Sequence, residues 1–248
     1  MDESSFQATV GFSVRDTLIL FWLHSTFDQE RYSVDIHDSF IEEFPGRSVR
    51  YEYVTRIARQ LATEGALSVR QEHKKMYYQC TPVGKERLAK YQDLYFNRFH
   101  EILQVLDRIY YSLTKNGEKP TPPDHPLPTE FRSYFSKLLS VKDVIRYLAL
   151  HLSLNRSSFY MAEVSQQLND LFGWSPSSAY LYTVAREMEE SDLLHGFWPD
   201  ERRSVRHMKG TDAGAAFYPT ITHSLEERVK NTRHYLNYIL HFIQKDEN

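Results

Sequence analysis

A chain of 248 residues with 41% hydrophobic content can bury one large core or two modest ones. Its formal charge of −3 argues against binding nucleic acid by bulk charge, so any contact with DNA has to come from a locally basic face. No stretch approaches the roughly 20 apolar residues of a membrane span, and the acidic start MDESSFQATVGF lacks a signal peptide's basic and apolar regions, so a cytoplasmic protein with no membrane partner is expected.

The first helix is expected at SVRDTLILFWLH from Ser13, where a serine cap precedes apolar residues at helical spacing and Trp22 is a core candidate. YSVDIHDSFIEEF from Tyr32 gives a second helix, with Ile36, Phe40 and Phe44 on one face. In the third, YVTRIARQLATEGAL, Val54, Ile57 and Leu61 turn inward; this helix and its approach carry Arg47, Ser48, Arg50, Tyr51, Arg56 and Arg59. ALSVRQEHKKMYYQCT then reads as a hairpin whose polar turn lies around His73 to Lys75, bearing Arg70, His73, Lys74 and Lys75. The only cysteine, Cys80, ends its second strand and is expected to be a small buried hydrophobe, in agreement with a reducing compartment. TPVGKERLAKYQDLYF from Thr81 opens a long helix. On it Leu88, Tyr91, Tyr95, Phe99, Ile102, Leu106, Ile109 and Leu113 follow one another at intervals of three or four, the seam spacing of a coiled coil.

NGEKPTPPDHPLPT, with five prolines, can hold neither helix nor strand interior and predicts a flexible, extended linker over 118–128, between a first domain at 1–117 and a second at 129–248. Beyond it the same elements are expected again. SVKDVIRYLALH from Ser140 lies over the first helix, YMAEVSQQLNDLF from Tyr160 over the second, and YLYTVAREMEESDLL over the third. The latter begins at SPSS, where Ser175 is expected as the cap and Pro176 in the first turn. Ser177, Ser178, Tyr180 and Tyr182 stand there in place of the arginines, and only Arg186 is basic. A second hairpin, LLHGFWPDERRSVRHMKGT, turns around Pro199 to Arg203 and carries Arg202, Arg203, Arg206, His207 and Lys209, with Trp198 expected to be partly exposed. TDAGAAFYPTITHSLE from Thr211 repeats the Thr-x-x-Gly opening of the long helix. The eight seam positions recur there 130 residues on, as Tyr218, Ile221, Leu225, Val229, Thr232, Leu236, Ile239 and Ile243, with Thr232 the one departure from apolar or aromatic character.

Three helices, a hairpin and a long helix, twice over, predict a mainly α protein with small β-hairpin wings. It is expected to contain two tandem winged helix-turn-helix domains whose long terminal helices pair as an antiparallel coiled coil. The stretches YVTRIARQLATEGAL…YYQCTPVGKERL and LYTVAREMEESDLL…VRHMKGTDAGAAF resemble the PadR-type winged-helix regulators and the related bacterial replication terminator proteins. That family's pattern is a Leu-Tyr pair, an acidic stretch, Gly-Leu, a basic wing, and Thr-x-x-Gly before a dimerisation helix. This chain departs from it at Thr55, where the family has tyrosine, and at Asp192, where it has glycine, while Tyr182 and Gly65 keep the pattern. The resemblance implies one winged helix per subunit and pairing of two long helices, so a chain with both copies can satisfy that pairing within itself as a pseudo-dimer, with further dimerisation open. It also implies a planar small-molecule effector between the helices, lined by Tyr91, Tyr95, Phe96 and Phe99; the alternative is that these rings pack the seam.

The expected partner is double-stranded DNA. In the first copy the contacts are Arg47, Ser48, Arg50, Tyr51, Arg56, Arg70, Lys74 and Lys75, with arginine able to read guanine edges and the helix N-terminus suited to phosphate. In the second they are Ser175, Ser177, Ser178, Tyr180, Arg202, Arg203, Arg206 and Lys209, gripping phosphates mostly through the wing. No phosphate loop, zinc motif or nucleophile-base arrangement is present, and His234 and His241, seven apart, have no evident third ligand. No enzymatic activity, metal or cofactor is therefore expected. The resulting function is a sequence-specific regulator that occupies its operator. Its alternatives are a terminator-like protein that blocks a replication fork, and a winged-helix module that binds protein instead of DNA.

Overall fold

The computed structural model describes residues 13–44, 49–199 and 205–243. Two compact units divide the chain, Met1–His100 with Tyr235–Asn248, and Glu101–His234. These units do not follow the chain halves, because each long helix starts in one unit and ends in the other.

In the first unit α1 (Val14–Ser25) starts on a capping box: the Ser13 hydroxyl accepts from the Asp16 amide and the Asp16 carboxylate accepts from the Ser13 amide. Its residues Thr17 to Leu23 are all buried, a helix apolar on nearly every side. β1 (Arg31–Tyr32) leads into α2 (Ser33–Glu43), then come α3 (Tyr51–Thr63), β2 (Leu67–Glu72), β3 (Lys75–Cys80) and the start of α4 (Pro82–Thr114). β2 and β3 pair antiparallel with Val69 opposite Tyr78, around a turn in which His73 takes φ 53°. The two-residue β1, absent from the expected elements, adds a third strand in the order β1-β3-β2. Trp22 is fully buried, as expected, and donates from Nε1 to the Val54 carbonyl at 3.1 Å, tying α1 to α3. Phe21 meets Phe40 and Phe242 edge to face at 5.3 and 5.8 Å, and Tyr235 shares a hydrogen bond with Thr17 at 2.9 Å. The last two turns of the chain's final helix thus complete this core.

The second unit takes the end of α4, then α5 (Thr129–Leu138), α6 (Val141–Asn155), α7 (Met161–Phe172), α8 (Ser178–Glu190), β4 (Leu194–Phe197), β5 (His207–Gly210) and most of α9 (Asp212–Ile243). β4 and β5 pair antiparallel, and Phe159 bridges to Met208, where the first unit has β1. α5 was not among the expected elements. Its Phe135 is buried against Phe172 at 5.5 Å, and Arg228 donates to the Leu138 carbonyl at 2.8 Å. The proline-rich segment is irregular, as expected, but its end is not free. Leu127 is buried, its amide bonds the Phe172 carbonyl at 3.2 Å, and its carbonyl accepts from Arg132 Nε at 2.8 Å.

The seam positions of both long helices are buried, except Leu113 and Tyr218, which are half-buried. Thr232 fits because its hydroxyl is satisfied by the Arg228 carbonyl at 2.7 Å. Within the second unit α4 and α9 meet: Arg233 pairs with Asp107 at 2.6 Å and lies over the Tyr110 ring at 4.4 Å. Tyr91, Tyr95 and Phe99 are buried and stack in sequence, with centroids 5.8 and 5.5 Å apart. No helix among the described residues is long and apolar enough to cross a membrane.

Candidate nucleic-acid interface

The third helix of each run is fixed to its long helix by the same pair of devices. α3 ends in a Schellman motif: the Gly65 amide bonds the Ala62 carbonyl at 3.0 Å and the Ala66 amide bonds Leu61 at 2.8 Å. α8 ends identically, with Asp192 to Glu189 at 2.9 Å and Leu193 to Met188 at 2.8 Å. Gly65 sits at φ 75° and Asp192 at φ 55°, a left-handed conformation that glycine takes freely and that Asp192 takes at a cost.

The Thr-x-x-Gly sequence closes the second device. The Thr81 hydroxyl donates to the Gly65 carbonyl at 2.6 Å and accepts from the Gly84 amide at 3.2 Å; Thr211 does the same with Asp192 at 2.5 Å and Gly214 at 2.9 Å. One hydroxyl caps the long helix and ties it to the turn that ends the third. Glycine is required three residues on because a Cβ at Gly84 would lie 2.2 Å from the Ala66 carbonyl oxygen, and one at Gly214 2.2 Å from that of Leu193.

On the scaffold so formed, α3 buries Val54, Ile57, Ala58 and Leu61 and exposes Arg50, Arg56 and Arg59. Thr55 is buried as well, its hydroxyl returned to the Tyr51 and Glu52 carbonyls at 3.1 Å. Arg50 is the N-cap residue and makes no side-chain cap bond, so α3 keeps its first amides clear of an intrahelical cap. The Tyr51 hydroxyl is held by Ser33 at 2.8 Å, and the Arg56 guanidinium lies 4.8 Å over the Tyr53 ring. Burial pushes the Tyr78 hydroxyl pKa up, opposed by Arg59 beside it.

The first wing splits into committed and uncommitted cations. Arg70 is bonded by Glu30 at 2.9 Å and by Glu72 at 2.8 Å, which raises its pKa further and matches its charge with two carboxylates at the surface. Lys75 lies 5.4 Å over the Tyr32 ring, and Lys74 is exposed at the hairpin turn. Arg47 and Ser48 lie outside the described residues.

The second face differs from its expectation at the cap. Ser177 caps α8, accepting from the Tyr180 amide at 3.3 Å. Ser175 instead accepts from Ser165 at 2.8 Å, before the helix, so neither it nor Pro176 occupies the first turn. The serine nearest the chain direction change wins because its hydroxyl can reach the amide three residues on. Ser178, Tyr180, Tyr182 and Arg186 are exposed. Arg206 turns back to Glu189 at 2.7 Å, His207 meets Ser158 at 3.2 Å, and Lys209 is exposed on β5. Arg202 and Arg203 lie outside the described residues. Trp198 is 44% exposed, as expected for the strand end. Sequence patterning held no sign that Arg70 and Arg206 would be taken up by Glu30 and Glu189, since ion pairs across elements have no periodicity.

No family model and no curated protein matches the chain. Among solved structures it is similar to the crystal structure of Bacillus subtilis PadR in complex with operator DNA, at 18% identity and a TM-score of 0.28, over 92% of this chain and 99% of that one.

Proposed function

We propose that the chain is a sequence-specific double-stranded DNA-binding protein that regulates transcription by occupying its operator. The observation that carries this is the exposure of three arginines around the start and outer surface of α3, Arg50 at its N-cap and Arg56 and Arg59 along it, with Lys74 exposed at the turn of the first wing. A helix bearing arginines beside a hairpin suits major-groove entry with the wing along the backbone. The two runs of elements are a tandem duplication in this proposal, and α4 and α9 pair as the antiparallel coiled coil that would otherwise join two subunits. Because the two faces differ, the preferred site is not a palindrome. A replication terminator-like role shares the same contacts and differs in what the bound complex stops.

Selection of genomic fragments by the purified protein, followed by binding of the recovered duplex at several salt concentrations, tests this. Arg50→Ala with Arg56→Ala is expected to flatten the slope of log K against log salt by about 1 for each phosphate left without its arginine, with the fold unchanged. Unaltered affinity and slope would place the interface elsewhere. A failure to enrich any fragment at low salt would favour the protein-binding module, for which the −3 net charge and the aromatic second face speak.

A further inference from the structure

Where α7 begins, α8 passes and the second wing starts, the second unit holds an open groove of about 690 Å³ lined by Tyr160, Tyr182, Trp198, Val205, Arg206 and His207. Tyr160, Tyr182, Trp198 and Val205 are 40%, 45%, 44% and 44% exposed. The core beneath is already filled by Leu181, Val184, Met188, Leu194 and Met208, so packing does not require these rings at the surface. Clustered apolar surface of this kind marks a binding site more often than scattered residues do.

The charge around the groove is uneven. Glu163 pairs with Arg156, Glu187 with Lys142 and Glu189 with Arg206, so these three acids of α7 and α8 are each matched by a cation. Arg186 lies one helical turn beyond Tyr182, on the same face of α8, and is exposed. Lys209 lies two residues beyond His207, on the same face of β5, and is exposed. Flat rings on the floor with cations on the rim complement a base and its flanking phosphates. Paired bases, stacked inside a duplex, present edges to a protein and cannot use a ring as a stacking surface.

We propose, on the premise that the chain binds DNA, that this groove takes unstacked bases of single-stranded nucleic acid. The rings of Tyr182 and Trp198 supply the stacking surfaces, and Arg186 and Lys209 face the backbone phosphates. The groove then holds a strand that has opened, in addition to the duplex contacts of the proposed function.

The test titrates the full-length protein at low salt with an oligothymidylate of about 15 nucleotides, within the span of one binding surface, and separately with the selected duplex. Of the three tryptophans Trp198 is the exposed one and reports stacking by fluorescence quenching, since Trp22 is fully buried and Trp174 is half-buried between Phe172 and Arg132, and the Trp198→Phe variant separates its signal from theirs. The expected result is quenching that disappears in Trp198→Phe while affinity stays. Tyr182→Ala and Trp198→Ala should each weaken single-strand binding by roughly tenfold, with duplex affinity and melting temperature unchanged, and Tyr182→Phe should restore it. Duplex binding without oligothymidylate binding would overturn this inference and leave the regulator standing; binding of neither would overturn both. Single-strand affinity indifferent to the ring substitutions, or quenching by a proline-rich peptide instead of the oligonucleotide, would also overturn it.

Discussion

Asp192 holds a left-handed turn that costs a side chain about 1 kcal/mol or more, and the matching Gly65 holds its own at no such cost. Asp192→Gly is therefore expected to stabilise the protein by about 1 kcal/mol in chemical denaturation, and Gly65→Asp to destabilise it by a similar amount. His151 makes a second prediction at this scale. Its ring nitrogen lies 2.9 Å from the Tyr218 hydroxyl, and burial, aided by nearby Lys115, lowers its pKa below the ordinary 6.5. The unfolded chain then binds more protons than the folded one as pH falls through 6.5, so the histidine's contribution is full above that pH and lost toward the lowered folded value. Thermal melts between neutral and mildly acidic pH should show this loss, and His151→Gln should reduce the slope. The Thr-x-x-Gly recurrence was visible in the sequence as a pattern. Its meaning was not, because the hydroxyl's acceptor is the carbonyl of Gly65 in one case and of Asp192 in the other, both more than a dozen residues upstream.

Among the elements, α1, α3, α6 and both long helices were legible because caps and apolar spacing are local signals. α5 was hidden: TEFRSYFSKL follows directly on the prolines and has no side-chain cap, and only packing of Phe135 on Phe172 shows why it forms. β1 was hidden for a different reason, since two residues carry no alternation to read. The linker was legible as irregular but not as docked, because its anchor is a backbone bond to Phe172. The end of α9 was read as part of a seam, whereas Phe242 also packs on Phe21 and lies 4.5 Å from the His24 ring. Phe242→Ala should cost about 3 kcal/mol and loosen the first unit, detected as earlier unfolding and faster proteolysis of its helices. An unchanged midpoint would mean that the last turns of α9 contribute nothing to that core.

For the whole molecule, a −3 net charge coexists with exposed arginines at and along α3 because a net charge says nothing of where the charges lie; Glu30 and Glu189 pair with the wing cations Arg70 and Arg206 and leave Arg50 and Arg56 exposed. Bulk composition was thus a poor guide to the local surface. The division between units was not legible either: the sequence was read as two halves, while the compact units each combine the start of one long helix with the end of the other. What this arrangement supplies, in the proposed function, is a pair of winged helices in one polypeptide. The mass of the complex formed with the selected duplex, measured in solution across a series of salt concentrations, tests that most directly. One 29.4 kDa chain per duplex, with affinity falling steeply and linearly in log salt, is the predicted result. A complex requiring two chains, or no complex at low salt, would contradict it.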